Sequence, residues 1–282
     1  MQVSTASSPG RDGRANEDFV GSVPGAVVLL DGAGVPRMEE VCRHGVGWYV
    51  ETLGTRLLRL LVADPSALLT ETLARALQEV ADRHRDACDL EDPRGPMATV
   101  AIARVRDQAV DLLVLADAFV VVEPLVGPPQ VITDPREVNV RSECLALLVG
   151  IAEGTPEHAE RLAQVVAAFR SRRNTPGGYW IAKDDARAAA HAVTSSREVG
   201  ALRSVCLLSN GASRLVEPYQ VMSWPKLVQE LRTGGPDALL QRLRNAERQL
   251  EQFGDVAPAR DDATIAYCEL GRSDAHELGN RH

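Results

Sequence analysis

The strongest constraint on the fold lies in residues 98–133, where aliphatic and β-branched residues crowd into three runs: ATVAIARV, VDLLVLADAFVVVEPLV and QVIT. Arg106-Asp107-Gln108 and Gly127-Pro128-Pro129 interrupt them as turns do, so the pattern predicts an antiparallel meander. Helical patterns precede it. Over residues 38–62 the apolar positions include Val46, Val50, Leu53, Leu57 and Leu61, bounded by Pro36 and by Asp64-Pro65. A second helix is expected over about residues 66–88, with Ser66 as N-cap and Leu69, Leu73, Leu77 and Val80 on one face. Residues 141–170 again read as helical, and 172–185 as a loop punctuated by Gly and Pro. A strand at 205–209, helices at 223–232 and 236–253, and a closing strand at 263–270 complete the pattern. Strands and helices arrive in blocks rather than in βαβ alternation, which favours a largely antiparallel sheet system flanked by helices. One domain over 1–270, followed by a polar tail at 271–282, is the economical reading.

Composition narrows the function classes. Of 282 residues 45% are hydrophobic and 25% charged, which excludes a disordered chain or a coiled coil as a whole-chain description. Asp and Glu outnumber Lys and Arg by 39 to 31, and a net charge of −8 argues against nucleic acid or an anionic membrane as a partner. No apolar run is long enough to span a bilayer, and the first residues lack the apolar core of a signal peptide. The five cysteines are scattered without a CxxC pair, as expected of buried thiols in a reducing cytoplasm. The chain therefore reads as cytoplasmic, while its oligomeric state is not encoded in any pattern found.

The informative acids stand at the ends of apolar segments. Residues 26–31 (AVVLLD) form a strand that ends in Asp31 and empties into Gly32-Ala33-Gly34. Asp117 interrupts an apolar run, Asp261 and Asp262 precede the last strand, and Glu17 and Asp18 precede Phe19-Val20. A carboxylate withdrawn from water needs a cation or donors. Any one of these acids could be a cap or a turn residue. Several together, without clustered His or Cys, point to a hard cation with oxygen ligands, Mg²⁺ or Mn²⁺.

The order of the pieces resembles the metal-dependent serine/threonine protein phosphatases, the type-2C or PPM family. The matching segments are Asn16-Glu17-Asp18, the strand 26–32 ending in Asp31-Gly32, Ala98-Thr99-Val100-Ala101, Leu115-Ala116-Asp117-Ala118, Leu207-Leu208-Ser209-Asn210-Gly211 and Arg260-Asp261-Asp262-Ala263-Thr264. Each is weak alone; together they keep the family's order over residues 16–264. The resemblance implies an α+β fold, a four-layer α-β-β-α sandwich: a central antiparallel β-sandwich with helix pairs on both outer faces. It also implies two Mn²⁺ or Mg²⁺ ions, bridged by a carboxylate and a water that attacks a phosphoserine or phosphothreonine of a protein substrate. Asp31 would bridge, the Gly32 carbonyl would help bind one ion, Glu17 and Asp18 would hold that ion directly or through water, and Asp261 would bind the other. Asp117 would take an accessory third-ion role; its plain alternative is the turn of a hairpin.

Asn210 stands where the family carries a metal-binding Asp, and an amide oxygen brings no negative charge, so affinity for one ion should fall. The phosphate-gripping Arg is either Arg11 or Arg14. Asn210 also motivates a rival function, a phosphatase-fold protein that binds phosphopeptides or a protein partner without turnover. A phosphomonoesterase for small molecules is a third option. Among other residues, Cys42 and His44 are two apart on an expected helix and so do not share a face. His84 and Cys88 can face together, but no second pair is expected to complete a zinc site. Arg172-Arg173 reads as solvated loop, and Trp180 as a core or loop anchor.

Overall fold

The computed structural model describes residues 1–11, 13–252 and 259–271. Its elements run β1 (Gln2–Ser8), β2 (Phe19–Val23), β3 (Ala26–Ala33), α1 (Gly45–Ala63), α2 (Leu69–Arg85), β4 (Met97–Arg106), β5 (Ala109–Leu115), β6 (Phe119–Pro124), β7 (Gln130–Ile132), α3 (Arg136–Leu145), α4 (Pro156–Ser171), β8 (Val193–Glu198), β9 (Leu202–Leu208), α5 (Asn210–Ser213), α6 (Trp224–Gln252) and β10 (Ala263–Glu269). Two five-stranded antiparallel sheets form, ordered β1-β10-β9-β6-β7 and β2-β3-β4-β5-β8.

Period-two alternation builds the layers. On β3, Val28 and Leu30 face α1 and α2 in a core with Leu53, Leu57 and Leu73. Val27 and Leu29 point the other way and meet Val120, Val205 and Leu207 of the second sheet. The outer face of that sheet, including Val121 and Ile265, packs on Leu227, Leu231 and Leu243 of α6. The result is the expected α+β four-layer sandwich. α6 bends at Gly235, whose φ of 77° ends one helix before Pro236 starts the next, so the helices expected at 223–232 and from 236 both form. Residue 253 and, of the tail expected at 271–282, residues 272–282 lie outside the described residues.

Three expectations need correction. Residues 98–133 are not one meander: β5 pairs with β4 and β8, whereas β6 pairs with β7 and β9. The chain changes sheets at Ala116-Asp117-Ala118, with Ala116 at φ 63°, so Asp117 is not a hairpin turn. Both strands are apolar on both faces, and their pattern is blind to which sheet each joins. The helix expected from residue 38 begins only at Gly45 (φ 82°); Met38–Glu40 is a single 3₁₀ turn. Finally, 141–170 splits into α3 and α4, separated by Gly150 and Gly154 at positive φ.

Candidate active site

Alternation that sends Val27 and Leu29 between the sheets puts Asp31 on that same inward side, at the end of β3 opposite Thr99. From the other sheet, Ser209 ends β9 by donating its N–H to Thr264 O at 3.0 Å, and its hydroxyl accepts the Thr264 N–H at 2.9 Å. These contacts bring α5, Asp261 and Asp262 to the same rim of the sandwich as Asp31. The open cleft there holds about 740 Å³ and is lined by Arg14, Glu17, Asp31, Asp117, Asn210 and Asp261, among others.

Hydrogen bonds fix the arrangement. The Asn210 N–H donates to Asp31 Oδ2 at 3.0 Å, and its side-chain amide donates to Asp117 Oδ2 at 2.8 Å. Asp18 Oδ2 accepts the Thr264 hydroxyl at 2.7 Å. Asp261 pairs with Arg214 at 2.8 Å. Asp262 plays a different part: its two oxygens accept the Gly10 N–H at 2.8 Å and the Glu17 N–H at 2.6 Å, tying the segment before β2 to the segment before β10. Close backbone contact enforces two glycines. A Cβ on Gly32 would lie 2.1 Å from Glu17 O, and one on Gly211 would lie 1.9 Å from Asp262 O. Gly32→Ala is therefore expected to cost about 3 kcal/mol of unfolding free energy in urea titrations; a neutral result would mean that β3 does not run against the Glu17 backbone.

The electrostatics are those of a site short of positive charge. Burial, then the Asp18, Asp117 and Asp261 carboxylates, push Asp31 well above the ordinary carboxylate range. Burial lifts Asp18 to about 7, with Asp262 and Asp261 adding to it against the Thr264 hydrogen bond. Burial likewise raises Asp117, although Arg141 pulls it back, and Glu17. Asp18 Oδ1 and Thr99 Oγ1 are sealed from solvent without any hydrogen-bond partner. Orphaned oxygen donors among crowded carboxylates fit a hard divalent cation and no softer one.

A second wall of the cleft was not visible in the sequence. Buried Glu137 on α3 pairs with Arg141 at 2.5 Å and is lifted to about 7 by burial and by Asp117, against the pull of Arg141. Phe169 stacks on Tyr179 with centroids 4.7 Å apart. Arg173, expected to be solvated loop, lines the cleft and donates to Pro93 O at 2.7 Å and to the Tyr179 hydroxyl at 3.2 Å. The i, i+4 spacing of Glu137 and Arg141 was the one available signal. Trp180 is the anchor expected, stacked on His191 at 3.6 Å.

Of the two arginine candidates, Arg14 lines the cleft beside Glu17 and opposes the rise that burial and Asp262 give its carboxyl. Both side chains are exposed, but Arg11 is not among the residues lining the cleft.

A family model for protein phosphatase 2C matches residues 7–250. The chain belongs to that family. Solved structures share its fold at low identity. The serine/threonine phosphatase Stp1 from Staphylococcus aureus is 15% identical with a TM-score of 0.58, covering 96% of this chain and 95% of its own. The Mycobacterium tuberculosis phosphatase PstP/Ppp is 17% identical with a TM-score of 0.56, covering 96% and 99%. A PstP catalytic domain in complex with two manganese ions is 16% identical with a TM-score of 0.54, covering 95% and 97%. A search of curated protein sequences finds no match. Among the described residues of this phosphatase, no helix is long and apolar enough to cross a membrane.

Proposed function

We propose that the chain hydrolyses phosphoserine and phosphothreonine in proteins with two Mn²⁺ or Mg²⁺ ions held at the cleft. The observation that carries this reading is the sealed Asp18 Oδ1, without a hydrogen-bond partner, beside Asp31, whose carboxylate lines the open cleft. Asp31, Asp18, Glu17 and Asp261, with the Gly32 carbonyl, are the groups that would hold the ions; Asp117 and Asn210 stand beside them. When bound, such ions neutralise charge on the phosphoryl oxygens and make a water acidic enough to attack.

The chain's own residues bind and orient. Asp262 fixes the Glu17 backbone, and Arg214 holds Asp261 in place. Arg14 presents a guanidinium whose paired donors suit a phosphate. Arg14→Ala is expected to raise the KM for a phosphothreonine peptide about tenfold or more, with a smaller change in kcat, while Arg11→Ala leaves both within about twofold. Equal effects of the two substitutions in steady-state kinetics would remove Arg14 from this role.

Phosphate release from a phosphothreonine peptide tests the proposal: turnover is expected with Mn²⁺ and absent without divalent cations. A second reading, phosphopeptide binding without turnover, is favoured by the Asn210 amide, which spends its donor on Asp117 and brings no charge to the site. Peptide binding in calorimetry without phosphate release under any divalent cation would select that reading. All five cysteines are free thiols, which suits a cytoplasmic site of action.

A further inference from the structure

Away from the cleft, the segment preceding α1 meets the end of α2. Cys42, His44, His84 and Cys88 each turn a ligand atom to one place there, and all four atoms lie within 4.8 Å of one another. Cys42 Sγ is 3.1 Å from His84 Nε2, and Cys88 Sγ is 3.3 Å from His44 Nδ1. Around a tetrahedral zinc ion, with bonds of about 2.0–2.3 Å, neighbouring donor atoms stand about 3.3–3.8 Å apart. The expectation that no second pair would join His84 and Cys88 assumed a helix through residues 42–44. The helix starts at Gly45 instead, which frees Cys42 and His44 to converge.

We propose that Cys42, His44, His84 and Cys88 bind one structural Zn²⁺, separate from the cations of the cleft. The ligand chemistry selects the metal: two sulfurs and two imidazoles suit zinc, whereas the all-oxygen cleft suits Mg²⁺ or Mn²⁺. Binding releases the two thiol protons to solvent, and two thiolates then cancel the charge of the ion. That neutrality matters, because Cys42 and His84 are only 3% and 4% exposed. Outer contacts hold the ligands in place. The His44 ring stacks on Trp48 with centroids 4.2 Å apart, and Trp48 also lies against His84 at 5.3 Å.

The site fastens two segments that continue into the cleft rim. Asp89 N–H donates to Val41 O at 3.2 Å, next to the cluster. Residues upstream of Cys42, including Met38 and Glu39, line the cleft; beyond Cys88, Arg94 pairs with Glu40 at 2.7 Å, and Pro93 receives the Arg173 hydrogen bond. An ion joining these segments ties α1 and α2 to the walls of the phosphatase site without taking part in its chemistry.

The test is metal analysis of the full chain, purified under reducing conditions and desalted. Elemental analysis should find about one zinc per chain, kept in the presence of Mn²⁺ and kept in Asp31→Asn. Replacing the zinc by Co²⁺ should produce the intense visible bands of a tetrahedral site and a thiolate charge-transfer band. Both signals should disappear in Cys88→Ser, whose side chain is partly exposed and whose fold circular dichroism can verify. Zinc below about a tenth of an equivalent with no Co²⁺ spectrum in folded wild type overturns the proposal. So does zinc retained in full by Cys88→Ser. The readouts do not depend on phosphatase turnover, so failure here and failure of the proposed function are separable.

Discussion

Asp31→Asn should leave a folded chain whose Mn²⁺-dependent phosphate release is lower by about a thousandfold or more. The substitution keeps the side-chain volume at the end of β3 and an oxygen for the Asn210 N–H, so the local structure has no reason to move. It removes the charge at the centre of the carboxylate group, where Asp18, Asp117 and Asp261 all act on Asp31. The same substitution should raise stability when divalent cations are withheld. Asp31 and Asp18 are both raised in the folded chain, Asp18 to about 7 against its ordinary 3.8. The folded state thus keeps protons that the unfolded chain gives up. That contribution is complete below about pH 4 and is lost as pH rises through about 7. In buffer free of Mg²⁺ and Mn²⁺, the wild-type melting midpoint is therefore expected to fall between about pH 5 and pH 8. Asp31→Asn should fall less steeply and melt higher at the alkaline end. Thermal scans by circular dichroism measure the slope; kinetics with a phosphothreonine peptide measure the turnover. A variant with wild-type turnover would sink the assignment of Asp31 as the central ligand.

Asn210→Asp is expected to tighten Mn²⁺ binding about tenfold or more in calorimetry, because it adds a charged oxygen ligand beside Asp31 and Asp117. The structure adds an opposite effect in the cation-free state. The native amide donates to Asp117 Oδ2 at 2.8 Å, and a carboxylate there turns that attraction into repulsion. The variant should melt below wild type without divalent cations and above it when they saturate the site, since binding to the folded state alone stabilises it. Unchanged Mn²⁺ affinity would place Asn210 outside the cation shell.

Much of the fold was legible because its core strands are unambiguous. β3, β4, β6 and β10 are apolar segments, and the acids at or beside their ends, Asp31, Asp117 and Asp261, mark where the sandwich meets solvent. Two edge strands were not legible. β1 (QVSTASS) buries Ala6 and sets a half-buried Val3 against the core, and β8 (VTSSRE) alternates half-buried with exposed residues, so neither carries an apolar pattern. The split of the expected meander was hidden for the opposite reason: β5 and β6 are apolar on both faces, and sheet membership is decided by the turn at Ala116.

The carboxylates facing the cleft were visible as acids out of place, but their supports were not. Asp262 looks like a duplicate of Asp261 until its two oxygens are found holding Gly10 and Glu17. Glu137 and Arg173 come from α3 and the loop after α4, and the topology alone brings them to the cleft that Asp117 lines. The thiol and imidazole cluster was discounted through a helix boundary placed seven residues too early, at 38 instead of 45. Periodicity continues through Val41 and Val46, and nothing local to the sequence marks Gly45 as the true start except its freedom at positive φ.

On the proposed function, Asp31 and the acids around it hold the divalent cations of a protein phosphatase. Diffraction from crystals grown with Mn²⁺, recorded at the manganese absorption edge, tests it most directly. Two anomalous peaks are expected in the cleft, both within ligand distance of Asp31, with Asp18 and Glu17 on one side and Asp261 on the other. An empty cleft at millimolar Mn²⁺, or peaks that leave Asp31 without a ligand bond, would contradict it.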